Sequence, residues 1–291
     1  MSYEGFLLVD KPTEWTSHDV VARVRRLAEM KKVGHAGTLD PMATGLLVLG
    51  LGRVTRLLRF IQDQPKEYVA TARFGVATDT LDADGTVTDR SPLPVGQTET
   101  ERALAGFRGE ITQIPPMTSA IKVGGQKLYE LARRGEEIER PARTVTIFEL
   151  EMTGFSAGDF PEVDFRVVCS SGTYVRTLAD DIARALGGRA HLTALRRTRI
   201  GSLHVENAST MEELAEPGRL AGSILAPASG LAGMETLQVE EPVAARVRHG
   251  SKLPVDQLPV DGHTAILDGD GRLLAVYRRE DSVARAEVVL S

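Results

Sequence analysis

The order of predicted elements constrains this chain most. Strands and helices follow one another without the regular strand–helix–strand beat of a doubly wound parallel sheet, so the pattern reads as α+β. Residues 5–10 form a short apolar run, expected to be a buried strand. Ser17 then stands as an N-cap before Val20, Val21, Val24 and Leu27, which recur at helical spacing. Residues 31–41 are rich in glycine, threonine and charge and read as a loop, and 46–49 as another apolar strand. Between 66 and 75 the chain alternates. Tyr68, Ala70, Ala72 and Phe74 share one face and Val69, Thr71 and Arg73 the other, the period of a strand. Helices are expected at 99–107 and, after a tight turn at Gly124 and Gly125, at 127–134. Strands are expected at 143–153 and 162–169, and a strong helix at 173–186 that stops at Gly187 and Gly188. From about 206 to 241 the chain turns acidic and rich in Ala, Gly and Pro, and a boundary is expected near 235. Residues 265–267, 273–277 and 286–290 then read as strands between Asp/Gly turns. The expected domains are 1–235 and a small β-rich one at 236–291. The second is near the lower size limit for folding alone, so it is expected to lean on the first.

Composition narrows the class. The hydrophobic fraction of 42% supplies a sizeable core. No apolar run approaches the roughly 20 residues that span a bilayer. The first residues lack the basic stretch and apolar core of a signal peptide, so the expected location is the cytoplasm. Cys169 is the only cysteine, which excludes internal disulfides and a cysteine-based metal cluster within one chain. The net charge of −5 weighs against a nucleic-acid partner, but its distribution matters more. Residues 1–60 hold nine Lys/Arg against six Asp/Glu, and residues 166–205 seven against two; residues 231–291 hold seven against ten. The basic surplus can form one binding face or merely solvated helix faces, and charge alone leaves both open.

The densest segment is Gly34-His35-Ala36-Gly37-Thr38-Leu39-Asp40-Pro41-Met42-Ala43-Thr44-Gly45. Its glycines let the backbone turn tightly and approach a ligand closely. Asp40 before Pro41 has two readings: a helix N-cap with proline at the first helical position, or a functional carboxylate. His35 alone reads as structural; His, Thr and Asp together in one glycine-hinged loop favour chemistry. The run from Thr78 to Gly85 has the aspartate spacing of a calcium loop but lacks the closing bidentate Glu of an EF-hand, so no metal site is expected.

Residues 34–45, followed by Leu46-Leu47, resemble the signature of the TruB family of tRNA pseudouridine synthases, Gly-His-x-Gly-Thr-Leu-Asp-Pro-x-Ala-Thr-Gly. Further segments match in the family's order. Leu8-Val9-Asp10-Lys11-Pro12 with Thr16-Ser17 resembles its N-terminal motif. Lys66-x-Tyr68 is similar to the segment with an active-site tyrosine, and Thr78-Asp79-Thr80 with Asp82-x-Asp84-Gly85 to the next block. Residues 115–122 and 128–133 resemble an RNA-gripping insertion, about 115–145. Residues 169–178 resemble the motif with the active-site arginine, and Leu195-Arg196-Arg197 the one with an apolar residue on the target base. Glu14 stands where glycine is usual, and Thr118 where many members have tyrosine. Residues 236–291 are similar to a short PUA-like appendage.

The resemblance implies a pseudouridine-synthase fold, with a central mixed, largely antiparallel sheet flanked by helices. It implies Asp40 as catalytic nucleophile, supported by Arg176, Tyr68, Leu195, His35 and Lys11. The implied substrate is tRNA, at the T-arm uridine conventionally numbered 55, extruded into a pocket. The reaction gains and loses no atoms, so no cofactor is expected. RNA contacts are expected from Lys31, Lys32, Lys122, Lys127, Arg133, Arg196 and Arg197. A monomer with no obligate protein partner is expected. Two rivals stay open: a non-catalytic RNA-binding or tRNA-folding module on the same fold, and a glycoside hydrolase with a carboxylate nucleophile. The hydrolase needs a second carboxylate, for which Asp79 is available.

Overall fold

The computed structural model describes residues 3–117, 122–123, 126–127, 138–259, 261–280 and 282–290. In chain order the first elements are β1 (Gly5–Lys11), α1 (Ser17–Leu27), β2 (Val33–His35), β3 (Thr44–Leu51), α2 (Leu58–Gln62) and β4 (Lys66–Phe74). The hairpin β5 (Val76–Thr78) and β6 (Val87–Arg90) follows, then α3 (Gln97–Ala105) and β7 (Gly109–Gln113). The backbone at β8 (Lys122–Val123) and β9 (Gln126–Lys127) forms a two-stranded ribbon. Next come β10 (Arg143–Ser156), β11 (Glu162–Cys169), α4 (Val175–Ala185), β12 (Ala190–Ile200), β13 (Leu203–His204) and β14 (Ile224–Leu225). The chain ends with β15 (Glu235–Gln238), α5 (Glu241–Arg248), β16 (Leu253–Pro254), β17 (His263–Leu267), β18 (Leu273–Glu280) and β19 (Val283–Val289). The α+β expectation holds. The expected helix at 127–134, the turn at Gly124 and Gly125, Thr118 and Arg133 lie outside the described residues, apart from the backbone of Lys127 in β9.

The chain forms two compact units. One comprises Met1–Pro41, Gly45–Asp63 and Ile200–Ser291; the other comprises Met42–Thr44 and Gln64–Arg199. In the first, β1 pairs antiparallel with β3 along its whole length and with β14 on its other edge, and β2 pairs with the end of β3. Because side chains alternate along a strand, β1 serves two cores. Leu7 and Val9 join Leu47, Leu49, Leu51 and the Val20, Val21, Val24 stripe of α1. Phe6 and Leu8 join Leu46, Val48 and Phe60 on the opposite face. This double coverage explains why β1 and β3 read as unbroken apolar runs. Each fully buried Val or Leu contributes roughly 1.5–3 kcal/mol.

The sheet β15-β17-β18-β19-β16 has one parallel pair, β15 with β17; its other pairs are antiparallel. One side of it packs a core of its own with Ala244 and Val247 of α5. From the other side Ala265, Leu273, Val276, Val288 and Leu290 enter the cluster around Phe6 and Phe60. Arg56 donates to the Val289 carbonyl at 2.7 Å, and Arg59 pairs with Glu287 at 2.5 Å. The tail thus leans on the first strands through shared core and polar contacts.

In the second unit the strand order is β12-β4-β11-β10-β7. β11 runs antiparallel to both β4 and β10, and β10 to β7. The alternation read for β4 is realised: Tyr68, Ala70, Ala72 and Phe74 are buried, while Val69 and Arg73 are exposed. α4 begins at Val175, two residues later than expected, after Thr173 Oγ1 donates to the Ser170 carbonyl at 2.9 Å. Asp180 then clasps the segment beyond the helix. It accepts from Arg184 Nε and Arg189 Nε, each at 2.8 Å, and from Ala190 N at 3.2 Å.

Candidate functional site

Asp40 and the loop residues from Gly34 to Pro41 belong to the first unit and are held at three points. Ahead of Asp40, Ala36 N donates to the Val48 carbonyl at 2.9 Å. At Leu39, immediately before it, Ser17 Oγ accepts from the backbone N at 2.9 Å and donates to the carbonyl at 3.2 Å. Immediately after it, the Pro41 carbonyl accepts from Glu14 N at 2.9 Å and Lys11 Nζ at 3.2 Å. Lys11 is fully buried and also donates to the carbonyls of Pro12 at 2.8 Å and Trp15 at 2.6 Å. A buried ammonium requires such oxygens, and here they belong to the two segments that must meet. Asp40 is half-buried between these anchors. Gly37 and Gly45, at φ 88° and 99°, supply the turns on either side.

Two local readings are corrected by this geometry. Asp40 caps no helix, because Pro41 and Met42 form a turn that leads into β3. Ser17 is not the cap of α1. Thr16 is, in a reciprocal capping box with Asp19, and this leaves Ser17 to hold Leu39. His35 ends β2, and its ring meets that of His18 edge-on with centroids 5.6 Å apart. Lys31 and Lys32 are exposed between α1 and β2. Glu14 is one of three non-glycine residues at positive φ among the described residues, at 66°, a region L-residues enter at a cost of about 1–2 kcal/mol.

In the second unit Arg176 is buried in the first turn of α4. Its Nη1 donates to Asp82 Oδ2 at 2.9 Å and to the Thr80 carbonyl at 2.8 Å. Asp82 is equally buried, and its Oδ1 accepts from Thr80 Oγ1 at 2.5 Å and from Asp84 N at 3.2 Å. The run from Thr78 to Gly85, with its aspartate spacing of a calcium loop, is therefore the socket of Arg176. A Cβ at Gly85 would lie 2.2 Å from Thr80 Oγ1, so the socket needs glycine there. Asp79, the second carboxylate of the hydrolase reading, accepts from Thr86 N at 2.8 Å. Among the described residues no cluster of His, Cys, Asp and Glu has the makings of a metal site.

Tyr68 and Leu195 are buried on the adjacent strands β4 and β12. Arg196 is half-buried, with Nη1 3.4 Å from Thr44 Oγ1, and Arg197 is 1% exposed. The side chains of Lys122, Lys127 and Arg133 lie outside the described residues. Asp82 is the residue that sequence reasoning missed; its aspartate-rich block was visible, but its partner stands 94 residues away. Burial pushes the Cys169 thiol up to about 11, against Thr173 and Lys66, so it is no nucleophile at neutral pH.

Comparison with known proteins agrees with this architecture. In solved structures, the chain is similar to one in a Cbf5-Nop10-Gar1 complex, with a TM-score of 0.77 and 26% identity over 98% of this chain and 83% of that one. The model for the TruB family pseudouridylate synthase N-terminal domain matches residues 25–175. Two C-terminal models, for the tRNA pseudouridylate synthase B and tRNA pseudouridine synthase II C-terminal domains, match 176–221 and 234–291. A Thermobifida fusca protein named tRNA pseudouridine synthase B is 44% identical over 99% of both chains. A Mycolicibacterium paratuberculosis protein of that name is 45% identical over 100% of this chain and 98% of its own. The chain belongs to the TruB family of pseudouridylate synthases, enzymes of the isomerase class.

Proposed function

We propose that this protein converts uridine to pseudouridine in tRNA, at the T-arm uridine conventionally numbered 55, with Asp40 as the nucleophile. The observation that carries the role of Asp40 is the double clamp on its neighbours, Leu39 and Pro41. Such fixation is what a carboxylate needs to meet one atom of a flipped nucleotide. The bond from ribose C1′ to uracil N1 breaks, and one from C1′ to C5 forms. The C5 proton leaves and N1 gains one, so atoms balance without a cofactor. Arg176 is the proposed cationic partner of the Asp40 carboxylate, fixed by its own socket. Tyr68 stacks on the extruded ring, worth roughly 1–3 kcal/mol, and Leu195 lines the pocket. Lys11 and His35 support the loop.

The exposed Lys31 and Lys32, with Lys122, Lys127, Arg133 and Arg196, are the proposed phosphate contacts; buried Arg197 would act from within the sheet. Residues 1–235, with the insertion at about 115–145, are the proposed catalytic domain, and 236–291 a PUA-like appendage. The protein is proposed to act as a monomer in the cytoplasm. Asp40→Asn tests the reading, because the amide keeps size and hydrogen bonding but loses the nucleophilic charge. It should still bind tRNA while tritium release from C5-labelled uridine stops. Release at the normal rate would remove Asp40 from the chemistry.

A further inference from the structure

Glu14 carries an unspent side chain on a penalised backbone. Its φ of 66° is a conformation that glycine takes freely and glutamate does not. Its backbone N is bonded to the Pro41 carbonyl, one residue beyond Asp40. The carboxylate is exposed and has no ion pair or hydrogen bond among the described residues. A position that needs left-handed backbone, holds the reactive loop and yet bears a solvated charge is where an outlier points to function. The charged groups near it in sequence are engaged elsewhere. Lys11, the nearest cation in sequence, is buried and directed at three carbonyls. Asp19 accepts from Thr16 in the capping box. The rings of His18 and His35 lie edge to face in the same unit, at the start of α1 and the end of β2.

A carboxylate offers acceptors only. It repels phosphate and accepts from the exocyclic amino groups of cytosine, adenine and guanine, a group that uracil lacks. Resting on the tRNA reading above, we propose that Glu14 is a specificity-determining residue. It reads an amino group on an unpaired loop base beside the target uridine, while the reactive loop holds its backbone.

The test uses the full chain with T-arm stem–loop RNAs, each carrying one altered loop base and keeping the target uridine. Wild type, Glu14→Gln and Glu14→Gly are compared in pseudouridine formation, with Tm measured for each. At one loop position wild type should prefer cytosine, which bears an amino group at C4, over uracil by about tenfold, the scale of one charge-assisted hydrogen bond. Glu14→Gly should lose that preference and retain its rate on the uracil substrate, and Glu14→Gln, whose amide both accepts and donates, should weaken it. Glu14→Gly should keep or raise Tm, because glycine suits the left-handed backbone. Unchanged preferences at every loop position overturn the inference. So does a uniform gain in affinity for all RNAs, which would make Glu14 a general repeller of phosphate. Failure of the tRNA reading is distinct: wild type would form no pseudouridine in any of these RNAs.

Discussion

The loop that carries Asp40 and the helix that carries Arg176 are held by different chemistry. The loop is gripped through its backbone. Ser17 Oγ bonds both polar groups of Leu39, and Lys11 points its charge at carbonyls. Arg176 is gripped through its charge, by a buried carboxylate that is itself held by Thr80 and the Asp84 amide. A backbone grip acts on the main chain on either side of Asp40. A charge grip fixes a guanidinium, but it buries two ions that depend on each other. The first device should fail gradually and the second abruptly.

The abrupt failure is the largest expected effect. Asp82→Asn removes the buried carboxylate to which Arg176 Nη1 donates and should lower stability by about 3–5 kcal/mol. Arg176→Lys keeps the charge but loses the planar guanidinium whose Nη1 donates to both Asp82 and the Thr80 carbonyl, and should lose most turnover. Urea unfolding and single-turnover kinetics separate the two effects. Normal turnover in folded Arg176→Lys would show that charge alone suffices at this position.

The backbone grip predicts smaller, graded losses. Lys11→Met keeps the volume of a fully buried side chain but takes a charged donor from three carbonyls, and should cost about 2 kcal/mol. Ser17→Ala removes both bonds to Leu39 and should cost about 1–2 kcal/mol. Each should lower kcat more than it raises KM, because the loop loses position and not RNA contact. If Ser17→Ala proves the more damaging for kcat, the anchor ahead of Asp40 governs its position and the one behind is secondary.

What the sequence disclosed follows the same division. The β4 alternation is local and was legible, as were the apolar runs of β1 and β3. The Asp40-Pro41 pair was ambiguous because a helix start and a turn into a strand share that dipeptide; Gly45 and the pairing of β3 with β1 decide it. The Thr16 capping box was also local, but Ser17 beside it drew the assignment. Charge counts misled about residues 166–205. Arg166 pairs with Glu67, Glu149 and Glu151, Arg199 with Glu67, Arg176 with Asp82, and Arg184 and Arg189 with Asp180. Apart from Asp180, the carboxylates that neutralise the basic surplus lie outside that stretch, Glu67 and Asp82 far from it in sequence. Only the fold brings Glu67 and Asp82 to these arginines, so no local window of sequence could reveal those pairs.

The smallest predicted effect lies in α4 itself, where neighbouring aspartates titrate in opposite senses. For Asp180, burial opposes ionisation, but hydrogen bonds from Arg189, Arg184 and Ala190 outweigh it and hold the carboxyl below its ordinary range. Its contribution is therefore present at neutral pH and lost as pH falls through the folded-state pKa. For Asp181, burial and then the Asp180 charge push the carboxyl up to about 6, with Arg184 opposing. Below about pH 4 it is protonated in folded and unfolded chains alike and favours neither. As pH rises from about 4 to about 6, the unfolded chain ionises first and stability falls. Asp181→Asn removes this penalty. It should exceed wild type at about pH 8 by about 1 kcal/mol, a figure discounted because solvent reaches this half-buried group. The two proteins should converge near pH 4. Urea unfolding at both pH values checks it. An equal gain at both would assign the effect to helix propensity or packing, and no gain at about pH 8 would mean that the Asp181 charge is well solvated. Either result would leave the Asp82–Arg176 pair as the charge-based support near the start of α4 and remove Asp181 from the electrostatics of that helix.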